Sequence, residues 1–210
     1  MAAAGSDARV TADKSARRSN IDDVEIEVIE HAGGITICAL YPSRSNREPN
    51  ECAPGDDGRM NTRDNDVKVD FFVEVPNGTM LTARTVNGSI DAEAIDGDVR
   101  AYTVNGSVNV ATNGFAEATT VNGSIDVAMN GASFRDDLDF ETVNGGITVT
   151  FTGTVNANVQ AETVNGSIST DYPLTVRGRF GPKRLAGTIG GGGPGLSLNT
   201  VNGDIEIRQR

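Results

Sequence analysis

The sequence predicts an all-β protein, a β-solenoid (β-helix) of roughly 18–22 residues per coil with an N-terminal β-hairpin cap. Three observations lead there. The 210 residues include 25 Gly, 20 Thr, 21 Val and 18 Asn but no Trp, a vocabulary of strands and tight turns. The tetrapeptide Thr-Val-Asn-Gly occurs six times, starting at Thr85, Thr103, Thr120, Thr142, Thr163 and Thr200. Between the copies, apolar and polar residues alternate with period two, as in short strands with one buried face.

The repeat sets the architecture. Asn87, Asn105, Asn122, Asn144, Asn165 and Asn202 follow one another at intervals of 18, 17, 22, 21 and 37 residues. The last gap spans about two periods and holds the Gly-rich run Gly190–Gly193, which reads as a flexible excursion. A second set of turns, Asp96-Gly97, Asn113-Gly114, Asn130-Gly131 and Thr152-Gly153, falls about halfway between the first. In the intervening segments Ile90, Ala92 and Ala94 oppose Asp91 and Glu93, and Ile125, Val127 and Met129 oppose Asp126 and Ala128. An antiparallel meander could use each Asn-Gly as a hairpin turn. It would give no reason for every second turn to be identical. A solenoid does, because like residues then stack from coil to coil: Asn as a hydrogen-bonded ladder, Thr and Val as β-branched rows. The motif Thr faces inward and the following Val sits at the corner. Ile90, Val108, Ile125, Ile147, Ile168 and Ile205 are expected to form one inward row.

The N-terminal third has another rhythm. Residues 1–19 read as a disordered leader, rich in charge and without an apolar stretch behind their basic residues. Val24, Ile26 and Val28, then Ile35, Ile37 and Ala39 across Gly33-Gly34, predict a hairpin. A further strand runs from Val67 to Val75 before Pro76. Residues 20–80 would thus cap the first coil of a repeat solenoid over 81–210, and the charged strand Ile205–Arg210 would close the other end.

These residues resemble a known family. The Thr-Val-Asn-Gly-Ser-Ile units, after the entry Val73-Glu74-Val75-Pro76-Asn77-Gly78, are similar to the adhesin-like bacterial domains of unknown function, Gly-rich β-solenoids found at bacterial surfaces. The resemblance covers roughly residues 20 to 210. It implies a β-helical fold and a location in or beyond the envelope, and it carries over no catalytic residue.

Charge and cysteines bound the function. Eighteen Lys and Arg against 29 Asp and Glu leave a net charge of −11, which argues against nucleic acid as a partner. No apolar run reaches the ~20 residues of a membrane-spanning helix. Cys38 and Cys52 bracket the Pro- and Ser-rich segment 41–50, and this reads as a disulfide clip, with two unrelated thiols as the alternative. A clip favours an oxidising compartment, hence an exported protein whose targeting signal is absent from this chain. No CxxC accompanies the single His31, so no zinc site is expected, and no other metal or cofactor.

Few residues remain to carry chemistry. Asp136, Asp137 and Asp139 read as a solvated acidic loop rather than a calcium site. His31, beside a Gly-Gly turn, reads as an exposed turn residue without triad partners. Arg177, Arg179, Lys183 and Arg184 form a basic run that fits an acidic polysaccharide or lipid headgroup, or simply a solvated loop. Three functional classes stay open. The first is a non-catalytic structural or interaction module of the cell envelope or exterior, presenting a rigid acidic β surface to a protein or surface partner. The second is a self-assembling, fibre-forming subunit, possible for heterologous end-to-end contacts. The third is a β-helical polysaccharide-active enzyme, disfavoured by the scattered carboxylates Asp91, Glu93, Asp126 and Glu162.

Overall fold

The computed structural model describes residues 2–3, 7–43, 48–55, 57–130, 134–176 and 183–210. It is an all-β protein with a single short 3-10 turn, Ile21–Asp23, among the described residues. Two compact units are present, one of Arg9–Val73, the other of Met1–Ala8 with Glu74–Arg210.

In chain order the first strands are β1 (Ala2–Ala3), β2 (Arg9–Ser15), β3 (Glu25–His31), β4 (Gly34–Leu40) and β5 (Lys68–Pro76). The leader expected to be disordered therefore contains a strand. In β2 the alternate residues Val10, Ala12 and Lys14 are half-buried, and Lys14 Nζ donates to the Val24 carbonyl at 2.7 Å. The next residues are also tied down. The Asp66 carboxylate accepts the N–H groups of Arg17 at 3.2 Å, Arg18 at 3.1 Å and Ser19 at 2.8 Å. Strands β3 and β4 form the expected antiparallel hairpin, with His31 opposite Gly34. Cys38 and Cys52 are joined in a disulfide with 5.8 Å between Cα atoms. Buried Asn50 supports the same region, donating to the Tyr41 carbonyl and accepting from Asn61 N–H.

The second unit is the solenoid. Its strands are β6 (Leu81–Arg84), β7 (Ile90–Ile95), β8 (Val99–Tyr102), β9 (Val108–Thr112), β10 (Ala116–Thr119), β11 (Ile125–Met129), β12 (Leu138–Glu141), β13 (Ile147–Phe151), β14 (Ala157–Asn165), β15 (Ile168–Thr170), β16 (Leu174–Val176), β17 (Arg184–Ile189), β18 (Gly195–Asn202) and β19 (Ile205–Gln209). They form an eight-stranded sheet, ordered β16-β17-β14-β18-β12-β10-β8-β6, and a six-stranded sheet, ordered β15-β19-β13-β11-β9-β7. Each rung places one strand in each sheet, and successive rungs are parallel.

The rungs are not stacked in chain order. β18 lies between β12 and β14, and β19 between β13 and β15. The chain leaves a slot after the fourth rung, builds β14 and β15 beyond it, turns back through the antiparallel pair β16 and β17, and then fills the slot. The expectation that Ile205–Arg210 closes an end is thus corrected: β19 is an interior strand with parallel neighbours on both sides. The Gly-rich run is the crossing into the slot, and it is fastened. Gly191 N–H donates to Asn156 Oδ1 at 2.7 Å, and Asn158 N–H to the Pro194 carbonyl at 2.9 Å.

The core follows from the register. Ile90, Val108, Ile125, Ile147, Ile205 and Ile168 stand in one row in that order. The four middle members are at most 1% exposed, whereas Ile90 and Ile168, in the outermost rungs, are half-buried. Burying each such side chain stabilises by ~1.5–3 kcal/mol relative to exposure. At one edge of the stack β7 carries a bulge between Ala92 and Ile95, with Ala94 at φ 54°. Bulges of this kind blunt an edge strand against further pairing.

Candidate functional site

The repeated motif builds a corner along the solenoid, and each of its four residues has a separate task. The threonine points inward: Thr103, Thr120, Thr142, Thr163 and Thr200 are all at most 5% exposed. An unpaired buried hydroxyl would cost ~1–3 kcal/mol. Each hydroxyl instead donates to the motif glycine carbonyl of the adjoining rung, as Thr120 does to Gly106 at 2.9 Å and Thr163 to Gly203 at 2.8 Å. The asparagine side chains form a continuous ladder. Asn105 Nδ2 donates to Asn87 Oδ1 at 2.9 Å, and Asn122 to Asn105, Asn144 to Asn122, Asn202 to Asn144 and Asn165 to Asn202, each at 2.8 Å. The ladder thus holds all six predicted asparagines, with the last two in exchanged order.

The motif glycine is required by close approach. Gly106, Gly123, Gly145, Gly166 and Gly203 have no positive φ. A Cβ on Gly123 would overlap the carbonyl of Gly106 in the adjoining rung, and the same overlap recurs along the stack. The valine faces out. Val86, Val104, Val121, Val164 and Val201 are 38–61% exposed and make an apolar stripe beside the ladder.

A second, shorter ladder occupies the opposite turns and was not anticipated. Asn130 Nδ2 donates to Asn113 Oδ1, and Thr152 Oγ1 to Asn130 Oδ1, both at 2.8 Å. The half-period spacing of these turns was the available signal.

Outward carboxylates are spread over the faces. Asp91, Asn109, Asp126, Thr148, Glu206 and Ser169 share one register row of the six-stranded sheet. Asn109 Nδ2 donates to Asp91 Oδ1 at 2.6 Å. On the other sheet Arg100 pairs with Glu117 at 3.0 Å, and the Arg84 guanidinium lies 4.5 Å from the Tyr102 ring centre. Asp204 replaces the motif serine and accepts both the N–H and the hydroxyl of Ser167 at 2.8 Å. These two bonds hold its carboxyl below the usual carboxylate range.

The remaining candidates do not converge. Lys183 is exposed, and Arg184 pairs with Glu162 at 3.4 Å. Arg177 and Arg179 lie outside the described residues. Asp137 accepts Gly195 N–H at 2.6 Å and so fastens the start of β18, while Asp136 and Asp139 are exposed. His31 is an exposed turn-side residue whose ring meets Thr36 Oγ1 at 3.0 Å and accepts Gly33 N–H at 3.1 Å. Among the described residues, no group of three or more His, Cys, Asp or Glu side chains is placed to hold a metal ion. None of their helices is long and apolar enough to cross a membrane.

No curated protein and no solved structure matched the chain. One family model, Toastrack DUF4097, matches residues 53–208, and so takes in β6 to β18 and all but the last residue of β19. That description assigns neither an activity nor adhesion. The chain belongs to the Toastrack family, DUF4097, a domain family of unknown function.

Proposed function

We propose that this chain is a non-catalytic structural or interaction module of the bacterial envelope or exterior, offering a rigid acidic β surface to a protein or surface partner. The carrying observation is how the repeat uses its polar groups. Motif threonines and asparagines bond from rung to rung, so they build a stiff scaffold rather than a reacting centre. Catalysis needs an acid, base or nucleophile converging with a partner in a concave site. The net charge of −11 supports an electrostatic surface role. The Cys38–Cys52 disulfide supports an oxidising, exported setting.

The fibre-forming alternative is disfavoured at one end. β17 covers β14, and the edge it leaves on the eight-stranded sheet is β16, a strand of only 3 residues, too short to template a full rung of another copy. The test pairs two measurements on purified protein. Co-sedimentation with envelope fractions should fall on replacing Asp126 and Glu206 with lysine, and sedimentation velocity should show concentration-independent monomers. Turnover of a glycan that is abolished by replacing His31 or the Asp136/Asp137 pair would overturn the reading.

A further inference from the structure

The Asn-Gly dipeptide that builds the ladder is also chemically labile. The amide nitrogen of the glycine can attack the asparagine Cγ, closing a five-membered succinimide and expelling the side-chain nitrogen as ammonia. Water then opens the ring at one carbonyl or the other, leaving aspartate or isoaspartate. The nucleophile is the glycine N–H, which must give up its hydrogen bond before it loses its proton. Gly88, Gly106, Gly123, Gly145 and Gly203 each donate that N–H to the asparagine carbonyl of the next rung, at 2.9–3.1 Å. Gly78 donates to the Asp96 carbonyl, and Gly114 to Thr112 Oγ1. Among the described Asn-Gly pairs, only Gly166 donates to no described residue. It belongs to the outer rung, where Asn165 is exposed and its Oδ1 accepts from no described neighbour.

We infer that Asn165-Gly166 is a site of spontaneous modification by water, converting to aspartate or isoaspartate while the five stacked copies are protected. The ladder is thus an ageing mark read at one end. Conversion there removes the bond that Asn165 Nδ2 donates to Asn202 Oδ1, and because Asn165 accepts from no described neighbour its carboxylate can turn away to solvent. An interior carboxylate would be held between two asparagines, against the oxygen of one of them.

The six sites share the local sequence Thr-Val-Asn-Gly, so their intrinsic rates are matched and the unfolded chain is the control. Folded protein is incubated at mildly alkaline pH, digested and mapped by mass spectrometry with isoaspartate-resolving chromatography. Asn165 should convert about tenfold faster than Asn105, Asn122 or Asn144, the scale set by releasing one backbone hydrogen bond. In denaturant the six rates should come together. Equal rates in the folded protein, an interior copy converting first, or no conversion at Asn165 while the unfolded chain converts would each overturn the inference. Asn165→Asp, which starts from the product, should keep the wild-type β signal and melting midpoint. Loss of either would show that the terminal bond cannot be dispensed with.

Discussion

Gly123→Ala is the sharpest probe of how closely the rungs pack. An added methyl is a small change, and the backbone there needs no positive φ, so a simple turn would tolerate it. In this stack the methyl would land on the carbonyl of Gly106, a backbone atom fixed by its own ladder bonds. Relief requires the two rungs to part at the corner. Three hydrogen bonds cross there: Gly106 N–H to Asn122 O at 3.0 Å, Thr120 Oγ1 to Gly106 O at 2.9 Å, and Asn122 Nδ2 to Asn105 Oδ1 at 2.8 Å. At ~1 kcal/mol net for each bond, with ~1–3 kcal/mol of overpacking, the loss is about 4–6 kcal/mol. That is a large part of the ~5–15 kcal/mol that holds a typical domain. The matched control is Gly146→Ser, where a Cβ meets the Asp204 carbonyl oxygen at 3.1 Å and its nitrogen at 3.8 Å, with no overlap, and the adjoining rung already carries Ser124; it should lie within about 1 kcal/mol of wild type. Urea unfolding should show a much lower midpoint for Gly123→Ala at unchanged slope. If both variants melt with the wild type, the close approach does not exist and the glycine is there for the turn alone.

Ile125→Asp should unfold the middle rungs by placing a carboxylate in a row where Ile125 is 1% exposed, while Asp126→Ala, on the outer face, should be nearly neutral in thermal melts. Mass spectrometry without reductant should find the Cys38 and Cys52 peptides linked, and removing that link, which spans 14 residues, should cost ~3 kcal/mol. Because the Asp204 carboxyl is held below its ordinary range when folded, its contribution is complete above the unfolded carboxylate pKa and is lost as pH falls through the lower folded value. Asp204→Asn keeps an acceptor for Ser167 but cannot titrate, so acid-unfolding curves of the variant should be shallower over that window; identical acid limbs would contradict it.

Much of the solenoid was legible because its signals are periodic. Inward rows and the asparagine ladder both follow from the spacing of Thr-Val-Asn-Gly. Rung order was not legible, because nearly identical motifs pair equally well with any neighbour and the 37-residue gap gives no direction. The deciding residues are the exceptions to the repeat. Gly146 sits under Asp204, whose carboxylate needs the Ser167 donors above it, so the rung holding Asp204 cannot be outermost without losing them. Strand β2 was hidden by composition, since its alternation of Val10, Ala12 and Lys14 runs through charged residues. The glycine's task was hidden too, because Asn-Gly reads equally well as a hairpin turn. The reactivity of Asn165-Gly166 rests on which rung ends the stack, which no local sequence reveals.

The exchanged rungs have a consequence for biosynthesis. A chain leaving the ribosome can zip β6 to β13 as they emerge, each pair docking on the one before. The pair β14 and β15 then has no parallel partner until β18 and β19 arrive. In a linear array each repeat is held by its nearest neighbours, and here the keystone is made after the stones on both sides of it. A nascent polypeptide halted before Gly195 would lack not the tip of the stack but an inner course, stranding β14 to β17. The last two rungs are therefore completed together, and partial products would expose apolar edges of the kind that proteases and chaperones detect.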